Sequence, residues 1–151
     1  MEEYSLFIDD YIGRVHETCP EVDAILVHDD WCHANGPFFS EQVARDLLLL
    51  HKKRLVESCH KRGLYYEQHS CGNNERFIDL YVEAGVDLYC PQDINDFDAL
   101  LAKTRGSNLV IGMPDAYLPE GATTEEKEAA AESWFEKYKD DRIVTYFFGK
   151  R

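Results

Sequence analysis

The feature that most constrains the fold of this chain is an order of strand, loop and helix that recurs four times after a first helical segment. Apolar runs of the kind found in buried strands alternate with segments of helical periodicity. The predicted strands are residues 23–28, 64–71, 86–90, 108–112 and 143–148. The predicted helices are residues 3–18, 40–61, 73–84, 95–104 and 123–139. This alternation is typical of a parallel sheet with helical crossovers, so the sequence predicts an α/β fold.

Length and charge narrow the class of protein further. With 151 residues, of which 44% are hydrophobic, residues 1–151 are expected to form a single domain. A net charge of -13 argues against binding to nucleic-acid phosphates, and no apolar run approaches the roughly 20 residues that span a bilayer. The acidic N-terminal residues do not resemble a signal peptide, and five scattered cysteines are typical of reduced thiols. We therefore expect a cytoplasmic protein with no nucleic-acid or membrane partner.

Polar clusters follow four of the predicted strands, each at the carboxyl end. They are His28–Trp31, Glu67–Cys71, Cys90–Asp93 and Met113–Asp115. In barrels and open sheets with parallel strands, the chemistry sits at this end of the strands. The clusters are therefore expected to line one shared pocket.

One of these clusters contains a pair of metal-ligating residue types. Side chains alternate between the two faces of a strand, so His69 and Cys71 point to the same face, and Glu67 joins them. An imidazole and a thiol at a strand end can hold zinc. Two ligands do not complete a site, and a buried, hydrogen-bonded pair is the alternative interpretation.

Several motifs resemble the uroporphyrinogen decarboxylase superfamily, and more narrowly its corrinoid-dependent methyltransferase branch. The matching stretches are His28–Trp31, Asn35–Phe38, His69–Asn73 and Pro91–Asp96. The family fold is a distorted (β/α)8 barrel of about twice this length. The resemblance covers nearly the whole chain and corresponds to the C-terminal half of that fold. It implies a partial (β/α)8 TIM-type barrel with about the last five strands and their intervening helices.

In the methyltransferase branch, a His-x-Cys pair and a further cysteine hold zinc, and a methyl group moves to or from the cobalt of a corrinoid protein. The resemblance therefore implies that His69 and Cys71 are zinc ligands, and that cobalamin enters only through a partner corrinoid protein. The family's further cysteine follows the last strand, where this chain has Phe147, Phe148 and Gly149.

The third ligand is therefore left open by the resemblance. Cys90 is the preferred candidate, because it ends the neighbouring strand. Glu67, Cys32 and His28 are further options.

Catalytic and substrate-binding roles are expected for other strand-end residues. His28 and Asp30 share a face and are predicted to be catalytic, as hydrogen-bonding groups or a proton shuttle. Substrate contacts are predicted for Trp31, Gln92 and Asp115. Core packing is the alternative for Trp31, and a turn before the next helix is the alternative for Gln92.

The sequence supports three functional hypotheses. The first is a zinc-dependent methyltransferase that takes a small methylated or methoxylated compound or a thiol as donor or acceptor. The second is a uroporphyrinogen decarboxylase-like lyase, and the third is a non-catalytic remnant that binds a metal or a partner. Because half a barrel exposes sheet edges, we also expect a homo-oligomer or a complementing half-barrel.

Overall fold

The computed structural model describes residues 1–114 and 121–146, which form helices around one main sheet. The helices are α1 Glu2–Thr18, α2 Glu41–Val43, α3 Leu49–His60, α4 Ile78–Ala84, α5 Phe97–Thr104 and α6 Thr124–Tyr138, with a π-helical segment Ala44–Leu48 between α2 and α3. The strands are β1 Ala24–His28, β2 Cys32–His33, β3 Gly36–Pro37, β4 Tyr65–Ser70, β5 Leu88–Pro91, β6 Val110–Pro114 and β7 Ile143–Tyr146.

The main sheet has five parallel strands in the order β1-β4-β5-β6-β7, and β2 and β3 form a separate antiparallel pair. Each strand of the sheet neighbours the next one along the chain, and a helical segment connects each pair. The predicted α/β class is confirmed, and the arrangement is that of a five-strand part of a (β/α)8 TIM-type barrel.

The two faces of the sheet differ in burial. On β4, Tyr66, Gln68 and Ser70 are fully buried on the side that the helices cover. The core on this side is rich in aromatic rings, including Trp31, Phe77, Tyr81 and Tyr89.

The opposite side of the sheet, which we call the open face, carries Leu26, Tyr65, Glu67, Leu88 and Val144. Leu26 is 48% exposed and Tyr65 is 63% exposed. Strands of a parallel sheet are normally buried on both faces, whereas these apolar side chains stay exposed among the described residues.

Two of the predicted helices begin later than expected. Asn73 lies in a turn, where its Oδ1 accepts a hydrogen bond from Glu75 N at 3.1 Å, and α4 begins only at Ile78. Helix α5 is capped by Asp96, whose carboxylate accepts a hydrogen bond from Ala99 N at 3.0 Å, rather than by Asn95.

Helix α6 begins with a capping box. Thr123 Oγ1 accepts from Glu126 N at 3.2 Å, and the Glu126 carboxylate accepts from Thr123 N at 2.8 Å. The end of the last predicted strand, residues 147–148, lies outside the described residues. Within the described ranges, no helix is both long and apolar enough to cross a membrane.

Candidate functional site

The register between β1 and β4 brings two polar strand ends together. His28 pairs with His69, and their rings are tilted with centroids 4.8 Å apart. Beyond the paired residues, Asp29 N donates to His69 O at 3.1 Å, so the two chains continue side by side. This places Asp30 level with Cys71, whose backbone N–H donates to Asp30 Oδ1 at 2.7 Å.

Three potential metal ligands converge at this point. The ligand atoms of Asp30, His69 and Cys71 all lie within 4.8 Å of one another. His69 Nε2 and Cys71 Sγ are 3.5 Å apart. Asp30 is exposed, and His69 and Cys71 are half-buried, so solvent reaches the cluster from the open face of the sheet.

The ring of His69 is held in an orientation suited to a ligand. His69 Nδ1 lies 2.9 Å from the carbonyl oxygen of Cys90. Since a carbonyl oxygen only accepts, Nδ1 carries the hydrogen, and in the neutral ring the lone pair is on Nε2. Nε2 is the atom that faces Cys71. Metal-bound histidines usually use their second nitrogen in this way.

The Cys71 thiol is held in its protonated form when no cation is present. Burial raises the pKa of Cys71, and the charge of the Asp30 carboxylate and its hydrogen bond raise it further. A divalent cation would reverse this effect, since a coordinating thiol loses its proton.

The donor set fits zinc. Imidazole nitrogen, thiolate sulfur and carboxylate oxygen are the three ligand types that zinc takes from proteins. With Zn–N near 2.0 Å and Zn–S near 2.3 Å at a tetrahedral angle, the two donor atoms stand about 3.5 Å apart. The observed separation of Nε2 and Sγ, 3.5 Å, matches this value. Three protein ligands would leave the fourth position for a substrate, as in catalytic zinc sites.

A tight turn directly follows Cys71 and is held by several hydrogen bonds. Gly72 has φ +76°, and its N–H donates to Gln92 Oε1 at 2.8 Å. Asn74, which is fully buried, donates from its side-chain amide to the carbonyl oxygens of Cys71 at 2.8 Å and Gly72 at 3.0 Å. The turn is thus fixed by the side chains of Gln92 and Asn74.

The structure places Cys90 differently from the prediction. Cys90 is level with His69 on the neighbouring strand, but its Sγ donates to Glu67 Oε1 at 2.8 Å. Among the described residues, the cluster of ligand atoms contains Asp30 as the third member and not Cys90. The contribution of Cys90 to the cluster is through its backbone carbonyl, which orients His69.

One of the predicted substrate contacts is corrected by its surroundings. Trp31 is only 1% exposed and packs against Phe39, Phe77 and Tyr81, so it belongs to the core, which was the alternative interpretation. Gln92 is exposed and accepts a hydrogen bond from Gly72 N, and its substrate contact stays a prediction. Asp115 lies outside the described residues.

His28, predicted to be catalytic with Asp30, is exposed on the open face beside His69.

One buried residue beside the site was not predicted from the sequence. Lys52 of α3 is 3% exposed and reaches Asp29 Oδ2 at 2.6 Å and Gln68 Oε1 at 2.6 Å. The sequence does indicate the burial of Lys52, because Lys52 follows Leu49 by three positions and precedes Leu55 by three. These positions form the buried stripe of the helix, where an unpaired lysine is rarely found.

The sequence and the structure were compared with known proteins. No family model and no curated protein matches the sequence. Among solved structures, the chain is similar to the crystal structure of 2,3-dimethylmalate lyase, a member of the PEP mutase/isocitrate lyase superfamily, with 12% identity and a TM-score of 0.42. The alignment covers 83% of this chain and spans 44% of the length of that one.

Proposed function

We propose that this chain is a zinc-dependent methyltransferase, or the C-terminal half of one, which moves a methyl group between a small methylated or methoxylated compound or a thiol and a corrinoid protein. The observation that carries the proposal is the cluster of Asp30, His69 and Cys71, with ligand atoms within 4.8 Å at the carboxyl ends of two adjacent parallel strands. The resemblance of the His69–Asn73 motif to the methyltransferase branch supports it.

In this proposal each residue has a defined task. His69 Nε2 and Cys71 Sγ hold the zinc ion, and Asp30 provides the third protein ligand in place of Cys90. Bound zinc would act as a Lewis acid that activates the group from which the methyl leaves or to which it moves. His28 stands beside His69 on the open face, where it can donate a hydrogen bond to the substrate or move a proton.

The decarboxylase-like alternative has less support from the residues. Holding a substrate with several carboxylates requires cations around it, and no arginine occurs in the strand-end clusters 28–31, 67–71, 90–93 and 113–115. The non-catalytic alternative predicts that the chain binds zinc and transfers no methyl group.

The partners in this proposal follow from the exposed surfaces. The open face exposes apolar side chains, and a second copy of the chain or a complementing half-barrel would bury them. A corrinoid protein would dock over the strand ends, and the net charge of -13 favours a partner with a cationic patch there.

The first prediction tests the zinc site directly. The purified chain should bind one equivalent of zinc, and Co²⁺ in its place should give a thiolate-to-cobalt absorption band. His69→Ala, Cys71→Ser and Asp30→Asn should each weaken zinc binding, the first two by more than about 100-fold, since the loss of a ligand exceeds the 10–100-fold effect of losing an outer partner. Chelator competition measures the affinity.

Cys90→Ser is the matched control, because it is also a half-buried cysteine at a strand end. It should keep both the zinc affinity and the cobalt band. A band that is lost in Cys90→Ser and kept in Cys71→Ser would overturn the assignment of the ligands. Zinc binding without methyl transfer to cob(I)alamin, with methylated amines, methanol or thiols as substrates, would favour the non-catalytic alternative.

A further inference from the structure

Lys52 is the centre of a polar network on the helix side of the sheet, directly behind the candidate zinc site. Its Nζ contacts Asp29 Oδ2 and Gln68 Oε1, both at 2.6 Å, and lies 5.3 Å from the centre of the Trp31 ring. Burial lowers the pKa of Lys52, and the charge of Asp29 raises it in opposition. The lysine therefore depends on these partners to remain in the interior.

The partners of Lys52 hold the backbone on both sides of the site. The Gln68 amide donates to Asp29 O at 3.2 Å and to His69 O at 2.6 Å. The Asp29 carboxylate also accepts from Trp31 Nε1 at 3.0 Å. The residues that Lys52 fixes, Asp29 and Gln68, are each the immediate neighbour of a proposed ligand.

Strand alternation explains how the two sides are coupled. Asp29 points to the helices and Asp30 to the open face, and Gln68 and His69 are related in the same way. A side chain that fixes Asp29 and Gln68 therefore fixes the backbone from which Asp30 and His69 project. Lys52 therefore bridges the β1 and β4 strand ends at the residues next to the proposed ligands.

We infer that Lys52 is a positioning residue, which sets the separation of Asp30 from His69 and Cys71 by bridging Asp29 and Gln68 from behind. This inference deepens the proposed function and rests on it. The hydrogen-bond partners of Lys52 Nζ among the described residues are Asp29, Tyr66 and Gln68 and not the three proposed ligands, so its effect on the ligands passes through the two strand ends.

A purely structural role for Lys52 makes a different prediction. A buried ion pair often contributes little net stability, but removing one partner is strongly destabilising. If Lys52 served stability alone, its removal would lower the free energy of unfolding and leave the zinc affinity of the folded protein unchanged. A positioning role requires that both change.

The experiment measures the zinc Kd and the Co²⁺ spectrum of Lys52→Met in the full chain. Methionine has a similar length without the charge, and we expect a Kd higher by about 10- to 100-fold, the range for residues that orient metal ligands. Ser58→Ala is the matched control, since Ser58 is also 3% exposed on α3 and bonds to Asp9, away from the site. It should lower stability and leave the Kd unchanged.

Asp29→Asn provides a second variant in case Lys52→Met does not fold. It should raise the Kd in the same direction, and the double variant should show less than the product of the two single effects, because both act through one link. A Kd within twofold of wild type in the folded variants would overturn the inference while leaving the zinc site intact. If the wild-type chain binds no zinc, the proposed function and this inference fail together.

Discussion

Asp30 acts on Cys71 in two ways at the scale of single residues. Its Oδ1 accepts the Cys71 backbone N–H at 2.7 Å, which holds the two side chains together. Its negative charge also raises the pKa of the thiol, in addition to the effect of burial. The group that would help to hold a cation thus keeps the thiol protonated until a cation arrives.

This arrangement predicts the pH dependence of Cys71 reactivity in the metal-free protein. Because the pKa is raised, the thiolate should appear only at a pH above that of an ordinary cysteine. Asp30→Asn removes the charge, so alkylation of Cys71 should begin at a lower pH. Alkylation by iodoacetamide, followed for the Cys71 peptide by mass spectrometry, checks this. An unchanged or higher midpoint would contradict it, and exposed Cys19 serves as an internal control.

The pair of His69 and Cys71 could be predicted at this scale, but the third member of the cluster could not. Strand alternation alone puts the two side chains on one face, and it also puts His28 and Asp30 on one face. Which strand ends meet depends on the register between β1 and β4, with His28 opposite His69. Side-chain alternation within each strand does not show how the two strands are aligned with each other. Cys90 was preferred because it ends an adjacent strand, yet its Sγ bonds to Glu67.

At the scale of elements, the β2–β3 hairpin and the turn after β4 pack closely. A Cβ on Gly72 would lie 2.5 Å from His33 O and 2.7 Å from Cys32 Cβ. Gly72 also has a positive φ, which residues other than glycine rarely adopt. This single position therefore joins the hairpin to the strand that carries His69 and Cys71.

We predict that Gly72→Ala lowers the free energy of unfolding by about 2 to 4 kcal/mol, the sum of left-handed strain and overpacking. Gly63→Ala is the control, because Gly63 has φ +75° but no atom within 4 Å of the added Cβ. It should cost about 1 kcal/mol, from strain alone. Urea denaturation measures both, and equal losses would mean that the close approach to the hairpin contributes nothing.

The strands could be predicted from the sequence, whereas the hairpin and the starts of α4 and α5 could not. Apolar runs bounded by turns identify the five strands well. The hairpin strands Cys32–His33 and Gly36–Pro37 are too short to show any periodicity. The π-helical segment Ala44–Leu48 is also invisible in the pattern, because its backbone bonds differ while the apolar spacing continues.

At the scale of the whole molecule, the helices in residues 1–114 and 121–146 cover one side of the sheet and leave apolar side chains exposed on the other. Leu26 and Val144 lie at its two edge strands on the open face, and both are exposed, at 48% and 39%. A groove of about 420 Å³ runs along this face between Tyr65, Leu88 and Val110. The surface is apolar enough to associate with another chain.

We predict that the chain self-associates through this face. Leu26→Asp should weaken association by at least about tenfold, because burying a leucine contributes about 1.5 kcal/mol or more. Sedimentation velocity over a range of concentrations measures this. Leu50→Asp, equally exposed at 57% but on helix α3, is the control and should have little effect. A wild-type chain that sediments as a monomer at every concentration would contradict the prediction.

The convergence of Asp30 with His69 and Cys71 has a consequence for the unfolded chain. An ion held by these residues would bridge two points that are distant along the chain, and it would be released on unfolding, because the site does not exist in the unfolded chain. Metal would then raise the melting temperature in proportion to the logarithm of its free concentration. The same ion would serve the reaction and tie the first two strands of the sheet together.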